Sequence, residues 1–138
     1  MTMQRVDTWA ASIKDKPGGL AAKLYALASA GVNLEFIIAR RAPQKPGTGV
    51  VFVTPIKGSK QTKAAAKAGF RKRTDLHAVR IEGADKPGLG ACITQSLADA
   101  GLNLRGMSAA AIGKKFVCHL AVDREADAAK LARIVRRF

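Results

Sequence analysis

The chain has 138 residues, room for one medium domain or two very small ones. It is 48% hydrophobic, which excludes a disordered tail, but only 5% aromatic, so any core must be aliphatic. Lys and Arg number 24 against 10 Asp and Glu, a net charge of +14 that attracts anions: nucleic acid, acidic lipid, acidic protein or small carboxylates.

From Asp7 the residues Asp7, Trp9, Ala11 and Ile13 alternate with Thr8, Ala10 and Ser12, and period two predicts a strand. Asp15-Lys16-Pro17-Gly18 then forms a turn into a helix. Proline keeps Lys16 out of helical geometry, and the Asp15 carboxylate is expected to cap the free N–H groups. Leu20, Leu24 and Leu27 fall at helical spacing until Ala30-Gly31, where Gly suits a left-handed terminus. Strands are predicted over Val32–Ala42 and Gly49–Ile56, joined by the exposed loop PQKPGTG. A helix follows over Lys60–Ala68, then a closing strand over Phe70–His77. Val50 and Phe52 on one face, with Val51 and Val53 on the other, predict a strand covered on both sides and hence an oligomer, a dimer being favoured.

The sequence then repeats itself. DKPGGLAAKLYALASAGVNL from Asp15 to Leu34 returns as DKPGLGACITQSLADAGLNL from Asp85 to Leu104, at a constant offset and without a gap. Val79 and Ile81 alternate ahead of the second turn. Ile93 and Leu97 mark its helix, and Ala100-Gly101 ends it. Strands over Leu102–Ala111 and Lys115–Val122 flank the tight turn IGKK, and a last helix covers Ala126–Ile134. The chain is therefore a tandem duplication, residues 1–75 and 76–138, with an α+β pattern of βαββαβ and then βαββα. Units of this kind are ferredoxin-like, an antiparallel sheet with both helices on one face. The second copy lacks most of its last strand, which leaves an edge for a neighbouring copy or subunit to cover.

A strand ending in D-K-P-G-x-L, a helix, and A-G-V-N-L leading into a second strand resembles the ACT domain, a small regulatory module often found in tandem. The resemblance covers Gln4 to Phe138. Asp15, Pro17, Gly18, Leu20, Gly31 and Asn33 carry it in the first copy, and Asp85, Pro87, Gly88, Gly101 and Asn103 in the second, where Gly90 stands in place of the usual Leu. The resemblance implies binding of an amino acid or similar small metabolite at an interface between paired domains, near the turn into the first helix.

The residues agree with that chemistry. A helix N-terminus offers N–H groups and positive dipole to a carboxylate. Gly18, Gly19 and Gly88 leave the backbone open to approach, and Asn33 and Asn103 carry both donor and acceptor atoms. Lys16 and Lys86 add charge at the rim. The candidate ligand residues are thus Asp15, Lys16, Pro17, Gly18, Gly19, Leu20 and Asn33, with Asp85, Lys86, Pro87, Gly88, Leu89 and Asn103 forming the second set.

Other features point elsewhere or nowhere. Lys57, Lys60, Lys63, Lys67, Arg71, Lys72 and Arg73 form the densest charge run, read first as a solvated face and alternatively as a surface for nucleic acid or an acidic protein. Phe52 and Phe116 alone occupy central strands, which argues against a base-stacking RNA module and disfavours nucleic acid as partner, while leaving binding to a phosphate backbone open. The adjacent pair Cys118 and His119 points to opposite strand faces, so no metal site is expected. Cys92 is a free thiol and His77 aligns with the Val79 face. No nucleophile–base set or carboxylate pair emerges, so no enzyme and no cofactor is expected.

No apolar run can cross a bilayer, MTMQRVDTW is no secretory signal, and the two cysteines lack a disulfide framework. Together these predict a cytoplasmic protein. The reading that results is a non-catalytic regulatory protein binding a small carboxylate. The alternative is a basic protein-interaction or nucleic-acid-binding module with a vestigial ligand pocket.

Overall fold

The computed structural model describes all 138 residues. In chain order the elements are β1 (Thr2–Val6), β2 (Trp9–Lys14), α1 (Gly19–Ala28), β3 (Phe36–Arg41), β4 (Thr48–Thr54) and α2 (Gly58–Lys67). They continue with β5 (Arg71–Lys72), β6 (His77–Ala84), α3 (Leu89–Asp99), β7 (Gly106–Ile112), β8 (Lys115–Val122) and α4 (Glu125–Val135). Two compact units result: Asp7–Arg73, the first copy, and Met1–Val6 together with Thr74–Phe138, the second.

The first copy is β2–α1–β3–β4–α2–β5, with sheet order β3-β4-β2-β5 and every pairing antiparallel. Alternation sorts its side chains. Ala11, Val51 and Val53 turn under the helices and pack with Leu27, Ala65 and Phe70, while Val50 and Phe52 face the other way and are half-buried. Arg73 lies over the Phe52 ring, 5.9 Å from its centre, in cation–π geometry.

The second copy has the sheet order β1-β6-β8-β7, also antiparallel throughout. Val79, Ile81, Ile93, Leu97, Cys118 and Leu120 lead its core, which is larger than that of the first copy. Its chain ends in α4 without a closing strand, as the sequence predicts. The gap is filled from the far end of the chain: β1 pairs with β6 in the register Thr2↔Glu82 to Val6↔Ala78. Residues 1–6, placed with the first copy on sequence grounds, thus complete the sheet of the second. The strand expected over Phe70–His77 is also broken. Only Arg71 and Lys72 pair with β2, and the chain leaves the sheet before β6 begins.

A bidentate pair fixes β1 in place. The Arg5 guanidinium donates to both carboxylate oxygens of Glu125 at 2.8 Å, and His77 Nδ1 lies 3.1 Å from the same carboxylate. The Arg5 hydrogen bonds hold the Glu125 carboxyl below its ordinary value of 4.5. A carboxyl depressed in the folded state stabilises the fold above its unfolded value and loses that contribution as pH falls through the folded one.

Removing residues 1–6 strips the ladder from β6 and is expected to cost about 2 kcal/mol or more of second-copy stability. Calorimetry will show this as a melting point lower by roughly 5–10 °C, with faster amide exchange along β6. Glu125→Gln is expected to flatten the acid limb of stability, so that melting curves from about pH 6 down to pH 3 separate least at the acid end.

Candidate functional site

Both DKPG turns have the same backbone. Gly18 and Gly88 occupy the N-cap positions of α1 and α3 in left-handed geometry, φ +85° and +78°, which a residue with a Cβ adopts only under strain. Neither helix has a side-chain cap, so the expected capping by aspartate is not what these carboxylates do. Asp15 lies too early in the turn, and its Oδ2 instead accepts from Arg41 Nε at 2.9 Å, across the sheet.

Without a capping side chain the opening N–H groups of α1 remain partly unspent. Gly19 N–H donates to Lys16 O at 3.0 Å and Ala22 N–H to Gly18 O at 3.0 Å. The N–H groups of Leu20 and Ala21 lie between these two and precede the first intrahelical bond. They point from the positive end of the helix dipole.

A cleft of about 670 Å³ opens at this turn, lined by Lys14, Lys16, Pro17, Gly18 and Gly19 together with Lys23 and Thr48. Three lysines and no carboxylate face it. A second, smaller cleft of about 240 Å³ lies on the other side of the turn, where Asp15, Lys16 and Leu20 meet Arg40 and Arg41. The structure therefore brings together Asp15, Lys16, Pro17, Gly18, Gly19 and Leu20. It adds Lys14, Lys23, Thr48 and Arg41, which motif reading misses. Register supplies Thr48 opposite Lys14, and helical spacing puts Lys23 one turn after Gly19. Lys23 Nζ also donates to Ala68 O, tying the end of α2 to the wall of the cleft.

Asn33 does not join this group. It is exposed at the far end of α1, a ten-residue helix spanning about 15 Å. Asn103 is likewise exposed beyond the C-terminus of α3. Within one copy neither reaches the turn it was paired with.

The two turns differ in the residue after the N-cap. A Cβ on Gly19 would stand 2.1 Å from Lys14 O, so the helix start presses directly on the preceding strand. The second copy has Leu89 there, and Leu89 is only 6% exposed, packed in the core rather than presented to a ligand. Asp85, Lys86, Pro87 and Gly88 stay exposed.

The remaining reactive groups are accounted for. Cys118 is buried and its thiol is pushed up to about 11, which keeps it protonated and inert; Cys92 is exposed. No group of three or more His, Cys, Asp or Glu is arranged to hold a metal, and no helix is long and apolar enough to cross a membrane.

Gly19→Ala is expected to cost about 1–3 kcal/mol because backbone must move to admit the methyl group. Gly90→Ala, whose Cβ would meet only Met107 Cε at 3.7 Å, is expected to be neutral or to stabilise by up to about 1 kcal/mol in the first turn of α3. Chemical denaturation of the two variants checks the contrast.

Comparison with known proteins bears on the fold. No family model matches the chain, and no curated protein sequence matches it significantly. Among solved structures, a Bacteroides thetaiotaomicron protein aligns at a TM-score of 0.79 with 16% identity, over 97% of this chain and 90% of that one. The ligand-free regulatory subunit of aspartate kinase from Thermus thermophilus aligns at 0.64 with 21% identity, over 99% and 94%. Aspartokinase III of E. coli, in complex with aspartate and ADP, aligns at 0.59 with 15% identity, over 99% of this chain and 32% of that one. At such identities the likeness is one of fold, and it agrees with the duplication seen in the DKPG and AG-N-L motifs: the chain is a tandem of two ferredoxin-like units.

Proposed function

We propose that the chain is a non-catalytic, cytoplasmic regulatory protein that binds an amino acid or a similar small carboxylate, without a cofactor, at the turn into α1. The cleft at Gly18 and Gly19 carries the reading. It combines bare backbone, the opening N–H groups of a helix and three lysines, with no acidic group to repel an anion. The Thermus neighbour, itself a regulatory subunit, supports the role.

A partner copy belongs to the same reading. Asp15 to Leu20 grip one end of a ligand, and Asn33 stands a helix length away. A ligand touching both kinds of residue would be held between paired domains, and in this reading a homo-oligomer, with a dimer the simplest form, supplies the pairing. Asp85 to Gly88 with Asn103 form the weaker second site, since Leu89 is committed to the core.

Thermal shift against the twenty amino acids and a set of small dicarboxylates tests this directly. A ligand at about 100 times its Kd stabilises by about 2.7 kcal/mol, a rise of several degrees. Lys16→Glu is expected to abolish the rise and Lys86→Glu to leave most of it. A flat response to every compound defeats the proposal.

A further inference from the structure

The net charge is not spread over the chain. The first copy, Asp7–Arg73, holds thirteen Lys and Arg against three Asp and Glu, or +10; the second holds eleven against seven, or +4. From Phe36 to Thr74 there are ten basic residues and no acidic one. Ion pairing widens the difference. Arg5, Arg80, Arg105, Lys115 and Arg124 of the second copy have carboxylate partners, as Arg41 and Lys72 do in the first, whereas Lys60, Lys63 and Lys67 of the first copy have none.

The centre of this excess is α2. Lys60, Lys63 and Lys67 are exposed and share one stripe opposite the buried Ala65, spanning about 10 Å along the axis. None has an ion-pair partner. The helix has no acid in its first turn, and Lys57 and Lys60 sit at the positive end of its dipole. The equivalent helix of the second copy provides an internal control. α4 carries Glu125 and Asp127 in its first turn and Arg133 in its last, the arrangement that a helix dipole favours. One duplicated helix thus satisfies its own electrostatics, and the other bears a stripe of mutually repelling cations.

We infer that the α2 face is a docking surface for the sugar–phosphate backbone of a double-stranded nucleic acid, read without sequence preference. The composition of the face decides between polyanions. A protein interface is built on aromatic and arginine anchors and is depleted in lysine. Around this stripe stand Ser59 and Thr62, whose hydroxyls are of the kind that contact phosphates, and Ala64 and Ala66, whose side chains are small enough not to obstruct a backbone. The one amide, Gln61, is engaged by Lys57 N–H and Gly31 O and reads no base edge. Nor does the sheet supply stacking for single strands: Phe116 is buried and Phe52 lies under Arg73. Duplex backbone is what remains.

Fluorescence anisotropy with a labelled mixed-sequence duplex of about 20 base pairs tests the inference across about 50–200 mM salt. Binding is expected to weaken steeply with salt. The triple variant Lys60→Gln, Lys63→Gln and Lys67→Gln should lower affinity roughly tenfold or more and reduce the slope of log K against log salt by between about two and three. Its circular dichroism should match the parent, because glutamine keeps both the side-chain length and the helix propensity. A matched control, Arg133→Gln, Arg136→Gln and Arg137→Gln, should leave affinity within about twofold apart from its effect on overall charge. Equal losses in both variants would show binding by net charge alone and overturn the inference. So would a polyglutamate chain that binds as tightly as the duplex, which would assign the face to an acidic protein.

Discussion

A sheet of this type needs four strands, and the second copy carries only three after Thr74. Pairing of β1 with β6 supplies the fourth, so the first copy is an insertion between one strand of the second and the rest of it. Closing a contact between Thr2 and Glu82 across a flexible loop would cost considerable chain entropy. The insertion removes most of that cost by clipping its own ends together. Trp9 pairs with Lys72, Arg73 N–H donates to Thr8 O at 2.8 Å, and Lys72 Nζ lies 3.5 Å from Asp7. A folded first copy therefore delivers Val6 and Thr74 close together, where β1 and β6 can meet. Integrity of one unit becomes a condition for completing the other.

Much of this was legible in the sequence because the signal was local or duplicated. Helices α1 and α3 follow from leucine and isoleucine spacing, and the turns before them from DKPG. The donor of the fourth strand was not legible. Thr2–Val6 reads TMQRV, and the face it turns toward the helices includes Arg5, a charged residue at a position where alternation predicts an apolar one. Arg5 is tolerated there because Glu125, 120 residues away in sequence, meets it with both oxygens. The role of Asp15 was missed for the same reason. Its partner Arg41 arrives through the register of β3, β4 and β2, which no local pattern records.

Divergence between the copies is concentrated where a ligand would sit. The first copy writes Gly19-Leu20 and the second Leu89-Gly90, an exchange of one position. In the first copy the helix start sits against Lys14 O, a contact only glycine allows, and the apolar residue moves on to the flank of the core. In the second the leucine drops straight into the core and the glycine faces open space near Met107. Both solutions pack a leucine against the core, Leu89 buried and Leu20 half-buried. Only the first keeps the helix entrance bare, so the same motif serves different ends in the two halves.

The electrostatic asymmetry follows the same division. Like charges at helical spacing destabilise a helix by about 0.2–0.5 kcal/mol per pair, and cations near an N-terminus add a similar penalty. α4 shows that the fold does not require this penalty, since the same structural position accepts glutamate and aspartate without loss of packing. Solubility does not require it either, because scattered charges of both signs serve as well. What α2 retains is a field of one sign, next to a cleft of the same sign. Lys23 joins the two, lining the cleft while its ammonium is held by the C-terminal carbonyl of Ala68 at the end of α2. A small anion in the cleft lies within about one Debye length of Lys23, so it acts on the ammonium that anchors α2 and is felt there first. The +10 field of the first copy as a whole is too large for one such anion to cancel, which leaves the lysine stripe positive whether the cleft is filled or empty.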